Sequence, residues 1–276
     1  MKKYQNLFIW IFAILFTAVF AHYQRSTGPT YPLKDKIMVG TTMVKYELTR
    51  SGTCGKDEPV KILIADTSVH GTFTYKRYKS NDAWTTIPMS REGEYLLAYI
   101  PQQPMAGKVE YKVSLLKGSE TYQLSKDHDV ILRYKRSVPL GVLIFHIFVI
   151  FSAMLLSTIT GLQAIFKGKH VRTYTWLTVI FFIAGGCILG PVVQKYAFDA
   201  YWTGWPFGHD LTDNKTLIGL IFWIIALVVQ YRKPGNRTWP VVAAIVFLVV
   251  YLIPHSVLGS EIDYSKQAPA TQQQGK

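Results

Sequence analysis

The chain has 276 residues, 49% of them hydrophobic, and a formal net charge of +13. That is too apolar for an ordinary soluble enzyme, yet a large polar block interrupts it, so one membrane domain and one globular domain are expected. The positive surplus does not read as nucleic-acid binding, because Lys and Arg are scattered through strand-like segments and short loops with no basic helix and no repeated basic-aromatic pattern.

Met1-Lys-Lys, followed by the apolar run Leu7 to Ala21, suits either a secretory signal or a short membrane anchor. Val19-Phe20-Ala21 offers small side chains at the cleavage spacing. The run is nevertheless rich in Phe and Ile, contains Trp10, and lacks a helix breaker before that point, so residues 1–23 read as an uncleaved anchor. Either outcome sends the next segment out of the cytoplasm.

Residues 24–137 change character. Thr41 to Thr49, Val60 to Ala65, Thr72 to Tyr78, Trp84 to Met89, Tyr95 to Ile100, Lys108 to Leu115, Glu120 to Leu124 and Val130 to Tyr134 are short, rich in β-branched and aromatic residues, and often alternate apolar with polar. Turn formers such as Ser51-Gly, Ser80-Asn-Asp, Arg91-Glu-Gly and Lys117-Gly-Ser separate them. About eight strands over roughly 110 residues predict an extracytoplasmic β-sandwich. Within it, Tyr99-Ile-Pro-Gln-Gln-Pro-Met-Ala-Gly-Lys-Val-Glu-Tyr111 resembles the turn and penultimate strand of bacterial immunoglobulin or fibronectin-III-like modules. The resemblance covers this one domain and implies a fold without a chemistry.

Residues 138–255 predict an α-helical transmembrane bundle of four segments, Pro139 to Phe166, Tyr174 to Val193, Leu217 to Tyr231 and Val241 to Pro254. The loops Lys167 to Arg172 and Arg232 to Arg237 are basic and belong on the cytoplasmic side. The loop 196–216 holds Asp199, Asp210 and Asp213 against Lys215, and the polar tail 256–276 holds Glu261 and Asp263, which places both outside. Trp176, Tyr201, Trp202, Trp205, Tyr231 and Trp239 fall at the expected interfaces. The localisation that follows is a multi-pass protein of a cytoplasmic (inner) membrane in a bacterial type of envelope, with the lipid bilayer and another membrane protein or a second copy as partners.

The ionisable residues at the outer side carry the functional candidates. His146 shares a helical face with Ala153, Ser157 and Gly161, a small-residue stripe for close helix packing, and the next segment offers Gly186 and Gly190 as GxxxG. Its imidazole can fix packing through a hydrogen bond on a neighbouring helix, or, with His209 and His255, ligate haem or a transition metal. Asp210, Asp213, Lys215 and Glu261 are the candidates for supporting or acid-base groups. Thr212 and Asp213 suit a helix cap, with Asp210 as the alternative, and Lys215 in the first helical turn calls for a carboxylate such as Asp199, Asp213 or Glu261, or for lipid phosphate.

Cys54 and Cys187 lie in different domains and form no disulfide framework, and no metal-binding Cys pair, phosphate-cradling glycine loop or nucleophile elbow occurs. The expected function is therefore that of a non-catalytic scaffold, assembly factor or sensor for a membrane complex. A haem- or metal-binding redox protein is the alternative. A transporter ranks third, for lack of a repeated hydropathy pattern.

Overall fold

The structure is a computed structural model and describes residues 3–125, 129–254, 257, 259 and 261–267. Two compact units emerge: a helical unit from residues 1–29 and 138–260, and a β-domain from residues 30–137 and 261–276.

Among its described residues the β-domain holds eleven strands. They are β1 (Leu33–Val39), β2 (Thr42–Leu48), β3 (Ser51–Thr53), β4 (Glu58–Leu63), β5 (Val69–Arg77), β6 (Thr85–Pro88), β7 (Ser90–Glu92), β8 (Tyr95–Ile100), β9 (Lys108–Lys117), β10 (Glu120–Leu124) and β11 (Val130–Lys135). One sheet runs β3-β11-β9-β5-β6 with β10 also on β9, a second runs β4-β8-β7, and β1 and β2 form a hairpin. All these pairings are antiparallel except β3 with β11. β9 shows why strands form here. Val109, Tyr111, Val113 and Leu115 point inward, while Lys108, Glu110, Lys112 and Ser114 point outward, the two-residue period of a pleated strand.

One core serves all the sheets. Leu48 from the hairpin, Phe73, Tyr111 and Leu132 from the larger sheet and Ile62 and Ile100 from the smaller one lie together with essentially no exposure. Each such side chain contributes about 1.5–3 kcal/mol relative to exposure. The polar tips of the buried tyrosines are satisfied by main chain: Tyr111 donates to the Thr49 carbonyl at 2.7 Å, and Tyr134 to the Ile100 carbonyl at 2.9 Å, which ties β11 to β8 of the other sheet. Burial raises both phenols well above the ordinary tyrosine range.

The helical unit holds α1 (Lys3–Thr27), α2 (Leu140–Ile165), α3 (Val171–Phe198), α4 (Leu211–Arg232) and α5 (Thr238–Leu252). The first four are long and apolar enough to cross a membrane. With 15 residues, α5 is shorter. α2 packs on α3, α3 on α4, α4 on α5 and α5 back on α2, a ring of four, and α1 lies against α2. Midway along α3 the backbone widens to a π-helix at Ile183–Leu189, just before Pro191. Proline has no amide hydrogen and its ring crowds the carbonyl four residues back, so the wide turn absorbs a position that a regular helix would not tolerate.

The helix ends segregate. At one end Gln163 donates to Asn6, Trp10 meets Tyr174, Arg172 and Trp176 both pack on Tyr231, and Arg237 donates to the Gly168 carbonyl. This end holds the two basic loops. At the other end His146 meets Gly185, Gln194 meets Asp213, and Tyr23, Gln24 and Lys215 donate to the carbonyls of Leu252 and Ile253. The chain leaves for the β-domain after α1, before α2 and after α5, and all three of these helix ends belong to this second, acidic end.

Candidate functional site

The sequence between α3 and α4 folds into a turn held by carboxylates. α3 stops at Asp199, which takes a left-handed conformation (φ 61°) and pairs with Lys195 at 2.9 Å. α4 begins at Leu211 because the Asp210 side chain accepts the Thr212 amide at 2.8 Å. Asp210 is thus the cap and Thr212 is not. Asp213, one turn into the helix, instead reaches back to the loop: its Oδ2 accepts the amides of Thr203 at 2.6 Å and Gly204 at 3.0 Å, and the Gln194 amide group at 3.2 Å. Asn214 accepts the Trp205 amide at 2.6 Å, and Gln194 also donates to the Thr203 hydroxyl at 2.6 Å.

Glycine is required where the loop touches this node. A Cβ on Gly204 would lie 2.5 Å from the Asp213 Cβ, and one on Gly208 would lie 2.4 Å from the Thr203 carbonyl oxygen. Held in this way, the loop exposes Tyr201, Trp205 and Phe207, with Phe207 82% exposed, while Trp202 bonds back to the Trp205 carbonyl at 3.0 Å. It is a rigid turn with an aromatic tip.

Lys215 is 2% exposed, and among the described residues Asp199, Asp213 and Glu261 bond to other groups. Its ammonium donates to the Ile253 carbonyl at 2.8 Å and stands 5.5 Å from the centre of the Tyr251 ring, so a main-chain dipole and a π-face offset the buried cation. Glu261 lies in the β-domain, between Lys79 at 2.7 Å and Lys108 at 2.5 Å. Partial burial works to raise its carboxyl, but the hydrogen bonds from Lys108 and Lys79 outweigh it and hold the group below the ordinary glutamate range.

His146 is half-buried at the start of α2, and its Nδ1 lies 3.1 Å from the Gly185 carbonyl, which sits in the π segment and also accepts the Gly190 amide. An imidazole facing a carbonyl donates from that nitrogen, so the proton sits on Nδ1. His209 is exposed in the loop, and His255 lies outside the described residues. Among the described residues no three His, Cys, Asp or Glu side chains gather as a metal site would require.

The packing residues sort by how little room they leave. Ala153 and Ser157 are buried, and a Cβ on Gly161 would meet the Ala244 Cβ at 2.8 Å. Gly186 sits against Thr216 and Phe182, whereas a Cβ on Gly190 would come only to ordinary contact with the Gly185 carbonyl oxygen, at 3.5 Å. Gly185 and Gly219, which lie outside the small-residue stripe and the GxxxG pair, are close contacts too: a Cβ on Gly185 would lie 3.0 Å from Ile150 backbone, and one on Gly219 would meet Phe182 and Phe247. A spacing of four marks one face only in a regular helix, and the π segment breaks that relation.

Cys54 and Cys187 are free thiols, and burial pushes Cys54 above its ordinary range. Comparison with known proteins returns no match to a family model, a curated protein or a solved structure.

Proposed function

We propose that the chain is a multi-pass protein of a cytoplasmic membrane that holds an immunoglobulin or fibronectin-III-like β-sandwich outside the cytoplasm and serves a membrane complex as a non-catalytic scaffold, assembly factor or sensor. The observation that carries this reading is how the buried polar groups are used. Asp213 and Asn214 hold main-chain amides of the loop 199–210, Gln194 holds the Thr203 hydroxyl and the Asp213 carboxylate, Asp210 caps α4, Lys215 holds the Ile253 carbonyl at the α5 exit, and the product of this bonding is a turn that presents aromatic side chains. Such a turn is an interaction element, and Trp and Tyr side chains of this kind suit the lipid interface and protein contacts alike.

The threading is supported by charge and by connectivity. Lys167, Lys169, Arg172, Arg232, Lys233 and Arg237 gather at the end away from the β-domain connections, as cytoplasmic loops do. Residues 261–267 belong to the same unit as residues 30–137, which favours an even number of crossings between them and supports reading the shorter α5 as a crossing too. The helix α1 supports a retained anchor. It buries Ile9 and Ala13 against Ile159 and adds Phe20 to the core of the ring.

Single cysteines at Phe207, Gly235 and Asp263, placed in a chain with Cys54 and Cys187 replaced, test the threading. An impermeant thiol reagent should label 207 and 263 from outside and 235 only after permeabilisation; the reverse pattern overturns the reading. The purified protein should be colourless and free of stoichiometric metal. A Soret band, or one metal ion per chain that is lost in His146→Ala, would replace the scaffold by the haem- or metal-binding alternative.

A further inference from the structure

The segment after α5 is seated in the β-domain as a ligand would be. Glu261 bridges Lys79 and Lys108, the Ile262 amide donates to the Ala106 carbonyl at 3.3 Å, and Tyr264 is 2% exposed. The Tyr264 hydroxyl donates to Gln103 Oε1 at 2.8 Å, and its ring lies 4.9 Å from the Arg77 guanidinium carbon. Asp82 holds that guanidinium by two bonds, at 2.7 and 2.8 Å, so its plane is set before the tyrosine arrives. Gly107 completes the seat, since a Cβ there would lie 2.6 Å from the Tyr264 hydroxyl. Two lysines for a carboxylate, a main-chain acceptor between them, and a prepared slot for an aromatic ring three residues further on are the parts of a peptide-recognition site.

We propose that this seat, formed by the Arg77–Asp82 and Gln103–Lys108 segments, is a docking site for a partner's extended peptide with a carboxylate three residues before a tyrosine, which the chain's own Glu261–Tyr264 occupies in its absence. The inference deepens the scaffold reading, on which it rests for the existence of a partner, by naming where the partner binds and what it presents. The occupant is small and held largely by polar bonds, and its one buried ring, Tyr264, stands outside the core cluster of Phe73 and Tyr111, so it exchanges without dismantling that core. A tethered tail acts at an effective concentration of about millimolar. A partner therefore competes when it carries a second contact or when the tail is drawn away.

The test uses a fluorescent peptide of residues 259–268 and the full chain in detergent, followed by anisotropy. A chain truncated after Ser260 should bind the peptide saturably, and the intact chain should bind it at least tenfold more weakly. Peptides carrying Tyr264→Ala or Glu261→Lys should lose about tenfold or more in affinity, the usual consequence of removing an anchor residue. A full-length chain with both of these changes opens the same site without truncation and should bind the unaltered peptide. Failure of both opened chains to bind, with the β-domain still folded, overturns the proposal. So does loss of the fold in both, which makes the tail a structural strand, and so does a dimer that becomes monomeric on truncation, which assigns the seat to a second copy. The cysteine labelling of the threading fails or succeeds independently of these outcomes.

Discussion

The β-domain hides its apolar side chains and the helical unit displays them: Phe73 in β5 is fully buried, whereas Phe148 on α2 is 65% exposed. In the β-domain, water sorts the sequence, and the alternating pattern of β9 is the result. On the membrane reading no such sorting acts on α2, because lipid is as apolar as the ring's interior, and what fixes neighbours is close contact at small residues and a few polar bonds. Ala153, Gly161, Gly185 and Gly219 provide the contacts, and Asp213 provides an acceptor shared by two amides and the Gln194 side chain. The same residue type therefore carries different weight in the two units.

The sharpest way to break that contrast is to make one change twice. Phe73→Ala should destabilise the β-domain by about 3–5 kcal/mol, the range for a deleted core aromatic. Phe148→Ala should stay within about 0.5 kcal/mol, as for an exposed position. Thermal unfolding of both variants in detergent decides, and equal losses would mean that Phe148 is covered by a partner. Next in size, Asp213→Ala strips the acceptor from two main-chain amides and the Gln194 side chain, and should cost about 3 kcal/mol, since a buried donor left alone costs about 1–3 kcal/mol. Asp213→Asn should retain part of that, and limited proteolysis of the loop 199–210 reads the loosening directly.

How far the sequence shows all this follows the same division. The eight expected strands are all present, Tyr95–Ile100 and Glu120–Leu124 with the expected ends and the other six with shifted ones, because each carries a two-residue period or a compact β-branched run. β1 escaped because Leu33-Lys-Asp-Lys-Ile37 has no such alternation, and β3 and β7 are three residues each. The first expected segment runs one residue past α2 at each end, the second and third stand within α3 and α4, and all but the last two residues of the fourth lie in α5. α4, however, starts six residues before the expected Leu217, since its first turns are polar and their reason is the Asp213 node, a contact made in three dimensions. Lys215 announced a need for a counter-charge, but its answer, the carbonyl of Ile253, is a backbone atom that no sequence pattern marks. Glu261 is separated from Lys79 by 182 residues, and only folding brings them together.

A third variant pair sharpens the role of small residues. Gly185→Ala places a methyl 3.0 Å from the Ile150 backbone, where neither helix can give way without moving, and should cost about 1–3 kcal/mol as overpacking does. Gly141→Ala, in the first turns of α2 with nothing near its Cβ, should be neutral or stabilising by a few tenths up to about 1 kcal/mol through helix propensity alone. If the two changes behave alike in a thermal melt, close packing at the π segment is not what positions α3.

The smallest effect belongs to the surface of the β-domain, where charge acts instead of packing. The Glu261 carboxyl is held below its ordinary range in the folded chain, so its contribution is present above the unfolded glutamate pKa of about 4.3 and is lost as the pH falls through the folded value. Docking of the tail should thus be level from about pH 8 to pH 5 and weaken below about pH 4. An environment-sensitive dye at position 263 follows release, and Glu261→Gln should flatten the profile while Tyr264, anchored by Gln103 and Arg77, still holds the segment in part. A profile that bends near neutrality instead would place control of the tail with a histidine, against the pairing of Glu261 with Lys79 and Lys108.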